Sequence, residues 1–244
     1  MGSDDDLTDD VIYGGRVKIR QPRRGYRVNV DTLLLAAAVA PGDRLIELGC
    51  GVGGALLSVA QRHPNAHFVG LEREPLFAHL ARENVEANGL SGRVSIVEGD
   101  AAAPPDLGVF EGVFFNPPFD APGEGRTPAS ERIPTHIADQ PLESWIKLWS
   151  NRMAAGACLT LIQRAQRLGD ILAAFEGRLG GVELYPVRGF AGDAANRLIA
   201  RARKGSRAPL KLWPGLDLHP SEGEAKHTPE AEAILRGDAD IWSV

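Results

Sequence analysis

Three carboxylates and one amide stand where a parallel sheet would gather them. Glu47-Leu48-Gly49-Cys50-Gly51-Val52-Gly53 ends an apolar run, Arg44–Leu48, and precedes an amphipathic stretch. Glycines allow a tight turn and a close approach of backbone to ligand, and the start of a helix supplies unpaired N–H groups. A general nucleotide fold would use such a turn for a pyrophosphate. Here the spacing is G-x-G-x-G, an acid stands inside the strand end, and no Gly-Lys-Ser/Thr follows for a triphosphate. A carboxylate at Glu47 suits a cofactor whose amino-acid moiety is cationic. Glu72 lies nineteen residues after Gly53 and ends the next strand, where a carboxylate can accept both ribose hydroxyls. Asp100 ends the third strand, placed to meet an adenine edge.

The fourth strand, Val109–Phe115, runs into Asn116-Pro117-Pro118-Phe119. Ligands of open α/β sheets bind beyond the carboxyl ends of the strands, so this turn faces the cofactor cleft. Two prolines fix φ and remove two N–H donors, leaving carbonyls without local partners. With the side-chain carbonyl of Asn116 they make a cluster of acceptors suited to an NH₂ group. The nitrogen of an aromatic or amide NH₂ is a poor nucleophile because its lone pair is delocalised. Accepting both hydrogens, at Asn116 Oδ1 and the Pro117 carbonyl, favours a pyramidal nitrogen aimed at an electrophilic methyl. Such catalysis rests on positioning and preorganised dipoles and needs no strong general base. Phe119 can stack on a planar base or amide, an interaction worth about 1–3 kcal/mol for a base.

The elements that must position these residues are legible as periodicity. From Asp43 to Ile162, strand-like runs alternate with amphipathic stretches, the pattern of a parallel α/β sheet with helices on both faces. The strands are Arg44–Leu48, His67–Leu71, Arg93–Val97, Val109–Phe115 and Ala157–Ile162, with later ones near Val182–Val187 and Leu198–Arg203. Helices follow the glycine turn, start at Pro75 and at Pro141, and cover Ile171–Leu179 and Pro229–Arg236. Ahead of them, residues 11–30 read as a β-hairpin closed by a Gln21–Gly25 turn. Residues 120–140, rich in proline and poor in apolar side chains, are a candidate substrate loop. Residues 11–244 thus read as a single domain behind an acidic, disordered tail, residues 1–10.

The combination of Asn-Pro-Pro-Phe with E-x-G-x-G-x-G resembles the class I S-adenosylmethionine-dependent methyltransferases of the small-domain group, over roughly residues 11–240. Within it, the hairpin followed by Asp31-Thr32-Leu33-Leu34-Leu35-Ala36 and the late segment Leu216–Leu235 are similar to the bacterial tRNA-Val adenine-N6 methyltransferases. The resemblance implies a Rossmann-like, seven-stranded sheet with an antiparallel last strand. It implies that Glu47, Gly49, Gly51, Gly53, Glu72, Asp100 and Asn116 line the S-adenosylmethionine site, and that Asn116, Pro117, Pro118 and Phe119 hold the target amine. Phenylalanine stands where that subgroup has tyrosine, as in several ribosomal-RNA guanine-N2 enzymes, so guanine N2 is an alternative target. Glutamine N5 of a protein is another, although that group carries an extra N-terminal helical domain for which the hairpin leaves no room. A non-catalytic RNA-binding module could do without the cofactor acids, all of which are present.

Charge bears on the partner through its distribution. The 244 residues hold 27 Lys+Arg and 32 Asp+Glu, and the excess acids are Asp4, Asp5, Asp6, Asp9 and Asp10. Two later stretches contain cations and no acids: Arg16, Lys18, Arg20, Arg23, Arg24 and Arg27, then Arg197, Arg201, Arg203, Lys204, Arg207 and Lys211. Clusters of this kind suit phosphates. Arg23, Arg24, Arg203 and Lys204 are therefore expected to frame a site for structured RNA, such as tRNA, near Asn116. Two cysteines, Cys50 and Cys158, make neither a disulfide framework nor a zinc site. The histidines share no metal-ligand spacing. The longest apolar run, Leu33–Ala40, is far short of a membrane span, and the acidic start is unlike a signal peptide. These features suit a cytoplasmic enzyme that needs no metal and no membrane.

Overall fold

Residues 6–117, 141–222 and 225–243 are described by the computed structural model. The Pro118, Phe119 and 120–140 segment of the sequence analysis lies outside them. The chain begins with an antiparallel hairpin, β1 (Leu7–Ile12) and β2 (Val17–Pro22), with Leu7 opposite Pro22 and Ile12 opposite Val17. The expected turn at Gln21–Gly25 is instead the exit from the hairpin. The reversal is made by Tyr13, Gly14 and Gly15, whose φ values of 53°, 63° and 90° are all left-handed. The acidic segment is also shorter than expected, because Leu7–Asp10 belong to β1. Asp10 is held there by hydrogen bonds from Gln21 Nε2, Thr8 Oγ1 and Arg27, at 2.9, 2.7 and 2.8 Å. These bonds, led by that from Gln21, keep its carboxyl below the usual range.

Helix α1 (Val30–Ala38) follows, its first turn capped by Asn29 Oδ1 accepting from the Thr32 N–H at 3.2 Å. Then β3 (Arg44–Leu48), α2 (Gly54–Arg62), β4 (His67–Glu72), α3 (Pro75–Ala87), β5 (Val94–Glu98), β6 (Phe110–Phe115), α4 (Leu142–Ser150) and β7 (Met153–Arg164) alternate. The series ends with α5 (Leu168–Phe175), β8 (Leu179–Arg188), β9 (Arg197–Lys204), two-residue strands β10 (Lys211–Leu212) and β11 (Leu216–Asp217), and α6 (Pro229–Leu235). The helix expected over Ile171–Leu179 starts earlier and stops at Phe175. Gly177, at φ 71°, turns the chain so that Leu179 opens β8.

The sheet order is β10-β8-β9-β7-β6-β3-β4-β5, with β11 also on β8. The seven long strands have the expected arrangement, and β9 is antiparallel to both neighbours. The short strands β10 and β11 extend the edge. Burial on both faces explains the near-continuous apolar runs. Alternation along β3 sends Leu45 to the layer of α1, α2, α3 and α6, and Ile46 and Leu48 to that of α4 and α5. Glu47 interrupts this run on the Leu45 side. Among the described residues no helix is long and apolar enough to cross a membrane, and no cluster of three metal-ligating side chains occurs.

The hairpin is tied down twice. On α3, Asn84 Oδ1 accepts from Arg20 N–H at 2.7 Å and its Nδ2 donates to Arg20 O and Val52 O. Asn88 repeats the pattern on Lys18, so two amide side chains pair with the edge of β2 as a strand would. At the other end Arg16 donates to Arg236 O and Gly237 O, and pairs with Asp238. Nearby, Arg62 binds Ala36 O and Asp240, and Trp242 Nε1 donates to Ala38 O.

Candidate active site

The carboxyl ends of β3, β4 and β6 and the segment after β5 open on one side of the sheet. Gly49 and Cys50 N–H both donate to Leu71 O, at 2.8 and 3.1 Å, folding the glycine turn back on β4. Gly49, Gly51 and Gly53 have φ of 65°, 55° and 89°, which glycine adopts without strain. Gly51 has a second constraint, since a β-carbon there would lie 2.6 Å from Tyr26 Cε1.

Each expected acid is placed differently. Glu72 Oε2 accepts from Gly51 N–H at 2.7 Å, and its Oε1 accepts from Arg73 and Glu74 N–H, both at 2.9 Å. It therefore stitches the turn to the end of β4 and keeps spare acceptor capacity. Asp100 Oδ1 accepts from Ala102 N–H at 2.8 Å, and Arg73 approaches its Oδ2 at 3.6 Å. Trp149 of α4 holds this segment by donating to Ala101 O at 2.9 Å.

Glu47 is only 5% exposed, and its Oε2 has no hydrogen-bond partner among the described residues. Burial pushes its carboxyl well above the ordinary value; the Glu72 charge adds to this and a Leu56 backbone hydrogen bond opposes it. Asn116 Oδ1 is likewise buried without a partner among the described residues, and Pro117 is buried beside it. Glu47 lies on β3 and Asn116 directly follows the neighbouring β6, since Leu48 of β3 faces Phe115 of β6. Buried acceptors are normally hydrogen-bonded. Two left open at the carboxyl ends of neighbouring strands suit two donors, an ammonium at Glu47 and an NH₂ at Asn116. S-adenosylmethionine carries the first of these groups.

The methyltransferase small domain family model matches residues 26–149. The chain belongs to that family. It is an S-adenosylmethionine-dependent methyltransferase. A tRNA1(Val) (adenine(37)-N6)-methyltransferase of Porphyromonas gingivalis is 30% identical over 234 residues, 88% of this chain and 89% of that one. A ribosomal RNA small subunit methyltransferase C of Pseudomonas aeruginosa is 31% identical over 110 residues, 45% of this chain and 32% of that one. The crystal structure of a predicted O-methyltransferase of Agrobacterium tumefaciens is 31% identical with TM-score 0.71, covering 86% of this chain and 97% of that one.

The fold of this methyltransferase corrects the expected RNA frame. β9 runs antiparallel, so Arg197 faces Arg164 at the cofactor end while Arg203 faces Cys158 and Lys204 faces Leu179 at the opposite end. Lys204 Nζ donates to Met153 O at 2.7 Å, the first residue of β7. Arg203 and Lys204 therefore do not lie near Asn116. Arg201 pairs with Glu183 at 2.6 Å and covers the Trp242 ring, and Arg197 pairs with Asp31. Arg23 and Arg24 are exposed on the loop between β2 and α1, which carries Tyr26 onto the glycine turn.

Tyr26 and Asn84 complete the methyltransferase site and were not anticipated. Tyr26 packs on Phe77 with ring centroids 5.5 Å apart, and its hydroxyl is pushed up by burial first and then by the neighbouring carboxyl groups of Glu47 and Glu72. Asn84 had a legible signal, an amide on the apolar face between Leu80 and Val85. Cys50 is buried, and that burial, with Glu47 and Glu72, drives its thiol well up, so it stays neutral and packs. Gly51→Ala combines a left-handed alanine, about 1–2 kcal/mol, with displacement of Tyr26. It is expected to weaken S-adenosylmethionine binding at least about tenfold, or 1.4 kcal/mol; calorimetric titration checks this.

Proposed function

We infer that this methyltransferase modifies an exocyclic amine of a base in RNA, adenine N6 of tRNA, in the cytoplasm. The observation that carries the reading is the pair of open, buried acceptors, Glu47 Oε2 on β3 and Asn116 Oδ1 just past the end of the adjacent β6. In it, Glu47 receives the cofactor's ammonium, and the backbone of Gly49, Gly51 and Gly53 lets the ligand approach. Glu72 offers its spare acceptor sites to the ribose, and Asp100 meets the adenine edge. When bound, S-adenosylmethionine supplies an electrophilic methyl group. Asn116 Oδ1 and the Pro117 carbonyl accept the two N–H bonds of the target, which localises the nitrogen lone pair and aims it. Phe119 and Pro118 hold the plane of the base. A hydroxyl has one hydrogen for two such acceptors, which favours an amine over the oxygen that an O-methyltransferase would modify.

The RNA part of the reading is supported by the names of the Porphyromonas and Pseudomonas relatives. Incubating the protein with labelled S-adenosylmethionine and, separately, total tRNA, ribosomes and protein, followed by nucleoside analysis, tests it. N6-methyladenosine in the tRNA fraction is expected. N2-methylguanosine in ribosomal RNA, or label in protein alone, overturns the assignment.

Charge reversal separates the two basic stretches. Arg23→Glu with Arg24→Glu is expected to weaken tRNA binding and to flatten its dependence on salt by about one to two counterions. Arg203→Glu is expected to leave both unchanged, because Arg203 lies at the other end of β9. Filter binding at several salt concentrations measures this.

A further inference from the structure

Beyond the target pocket, the cofactor end of the sheet carries an aromatic tier on β8 and β11. Phe190 follows β8 and is 47% exposed. Its ring meets His219 at 5.3 Å between centroids, and His219 stacks on His227 at 5.4 Å with an interplanar angle of 20°. The tier is built rigidly. Phe190 N–H donates to Asp193 Oδ2 and Asp193 N–H donates to Phe190 O, both at 3.2 Å, and His219 N–H donates to Gly189 O at 2.9 Å. His219 Nδ1 lies 2.6 Å from Lys226 O; a carbonyl only accepts, so Nδ1 carries the proton. His227 Nδ1 is buried without a hydrogen-bond partner among the described residues. Charged groups of both signs flank the tier: Arg188 paired with Asp217, the exposed Lys226, and Asp193 within the turn itself.

A turn that locks a half-exposed phenylalanine over stacked imidazoles gains little from packing. It does present a flat, preorganised π-face, the feature on which unpaired nucleobases stack. From Asn116 the tier lies three strand steps away, β6 to β7 to β9 to β8, roughly 15 Å at about 4.8 Å per step. That is within reach of a nucleotide flanking the target. We propose that Phe190, backed by His219 and His227, is a stacking ledge for an unpaired base neighbouring the methylated one. The proposal rests on the RNA reading of the active site.

The test compares wild type, Phe190→Ala and Phe190→Trp on two labelled RNAs, a hairpin with a seven-nucleotide loop and a fully paired duplex of equal charge. Phe190→Ala is expected to weaken hairpin binding about tenfold, leaving duplex binding, the salt slope and S-adenosylmethionine affinity unchanged. Phe190→Trp is expected to keep or tighten hairpin binding. Equal hairpin affinity for Phe190→Ala and wild type, or an equal loss on both RNAs, overturns the ledge while RNA methylation by the wild type stands. A wild type that binds neither RNA and labels only protein overturns the ledge and the RNA reading together.

Discussion

Replacing Asn116 with alanine is expected to cut single-turnover methyl transfer by about 10²–10³-fold, the range seen when one preorganised hydrogen-bonding group is removed from a reacting centre. The open Oδ1 is the only side-chain acceptor that the turn after β6 offers among the described residues, and it is buried where solvent cannot replace it. Cofactor affinity should change by less than about tenfold, the worth of one ordinary hydrogen bond. Asn116→Asp keeps an oxygen at the same place and should lose less than alanine does. Rapid-quench transfer of labelled methyl to tRNA, with calorimetry for the cofactor, separates the two quantities. An alanine variant that transfers at the wild-type rate would remove Asn116 from the chemistry.

Glu47→Gln should have two opposite effects. The variant keeps the shape and loses the charge, so S-adenosylmethionine binding is expected to weaken by about 1.5–3 kcal/mol, the worth of a hydrogen bond to a charged group, or roughly 10- to 150-fold. The ligand-free protein is expected to become more stable. Because the folded state raises the Glu47 pKa, its favourable contribution is complete below the ordinary value of 4.5 and is lost as pH rises through the folded value. The stabilisation by glutamine should therefore be largest at alkaline pH and fade toward pH 4.5. Binding of the cationic cofactor favours the carboxylate and opposes the shift that burial produces, so cofactor affinity should rise with pH in wild type and lose that dependence in the variant. Thermal melts across this range check the first effect.

The parts of this site that were legible in the sequence are those set by short-range rules. The glycine turn, the acids at Glu47 and Glu72 and the turn at Asn116 each sit within a few residues of a strand end, and strand ends can be read from apolar runs. What escaped was set by partners far along the chain. Gln21–Gly25 has the composition of a turn, but Tyr13-Gly14-Gly15 has the backbone angles, and Tyr13 adopts φ 53° in a buried seat against Gly237. Arg203 and Lys204 share a basic stretch with Arg197, but charge clustering carries no direction: the antiparallel β9, which the resemblance implies, turns their end of the stretch away from Asn116. Tyr26 reaches the glycine turn from a loop whose strand, β2, is held by Asn84 of a distant helix.

Arg16 in the hairpin is bound by Arg236, Gly237 and Asp238, more than two hundred residues later. Contacts so distant in sequence form late, after the closing entropy of a long loop has been overcome. During synthesis the Rossmann-like core can assemble while the hairpin still lacks its seat, and domains fold as the chain emerges from the N-terminal side. The contacts of Arg16 can then close only when residues 236–238 have left the ribosome, whereas Asn84 and Asn88 are available to the same hairpin much earlier. In this arrangement the hairpin receives its last anchor from residues made long after the core strands it covers.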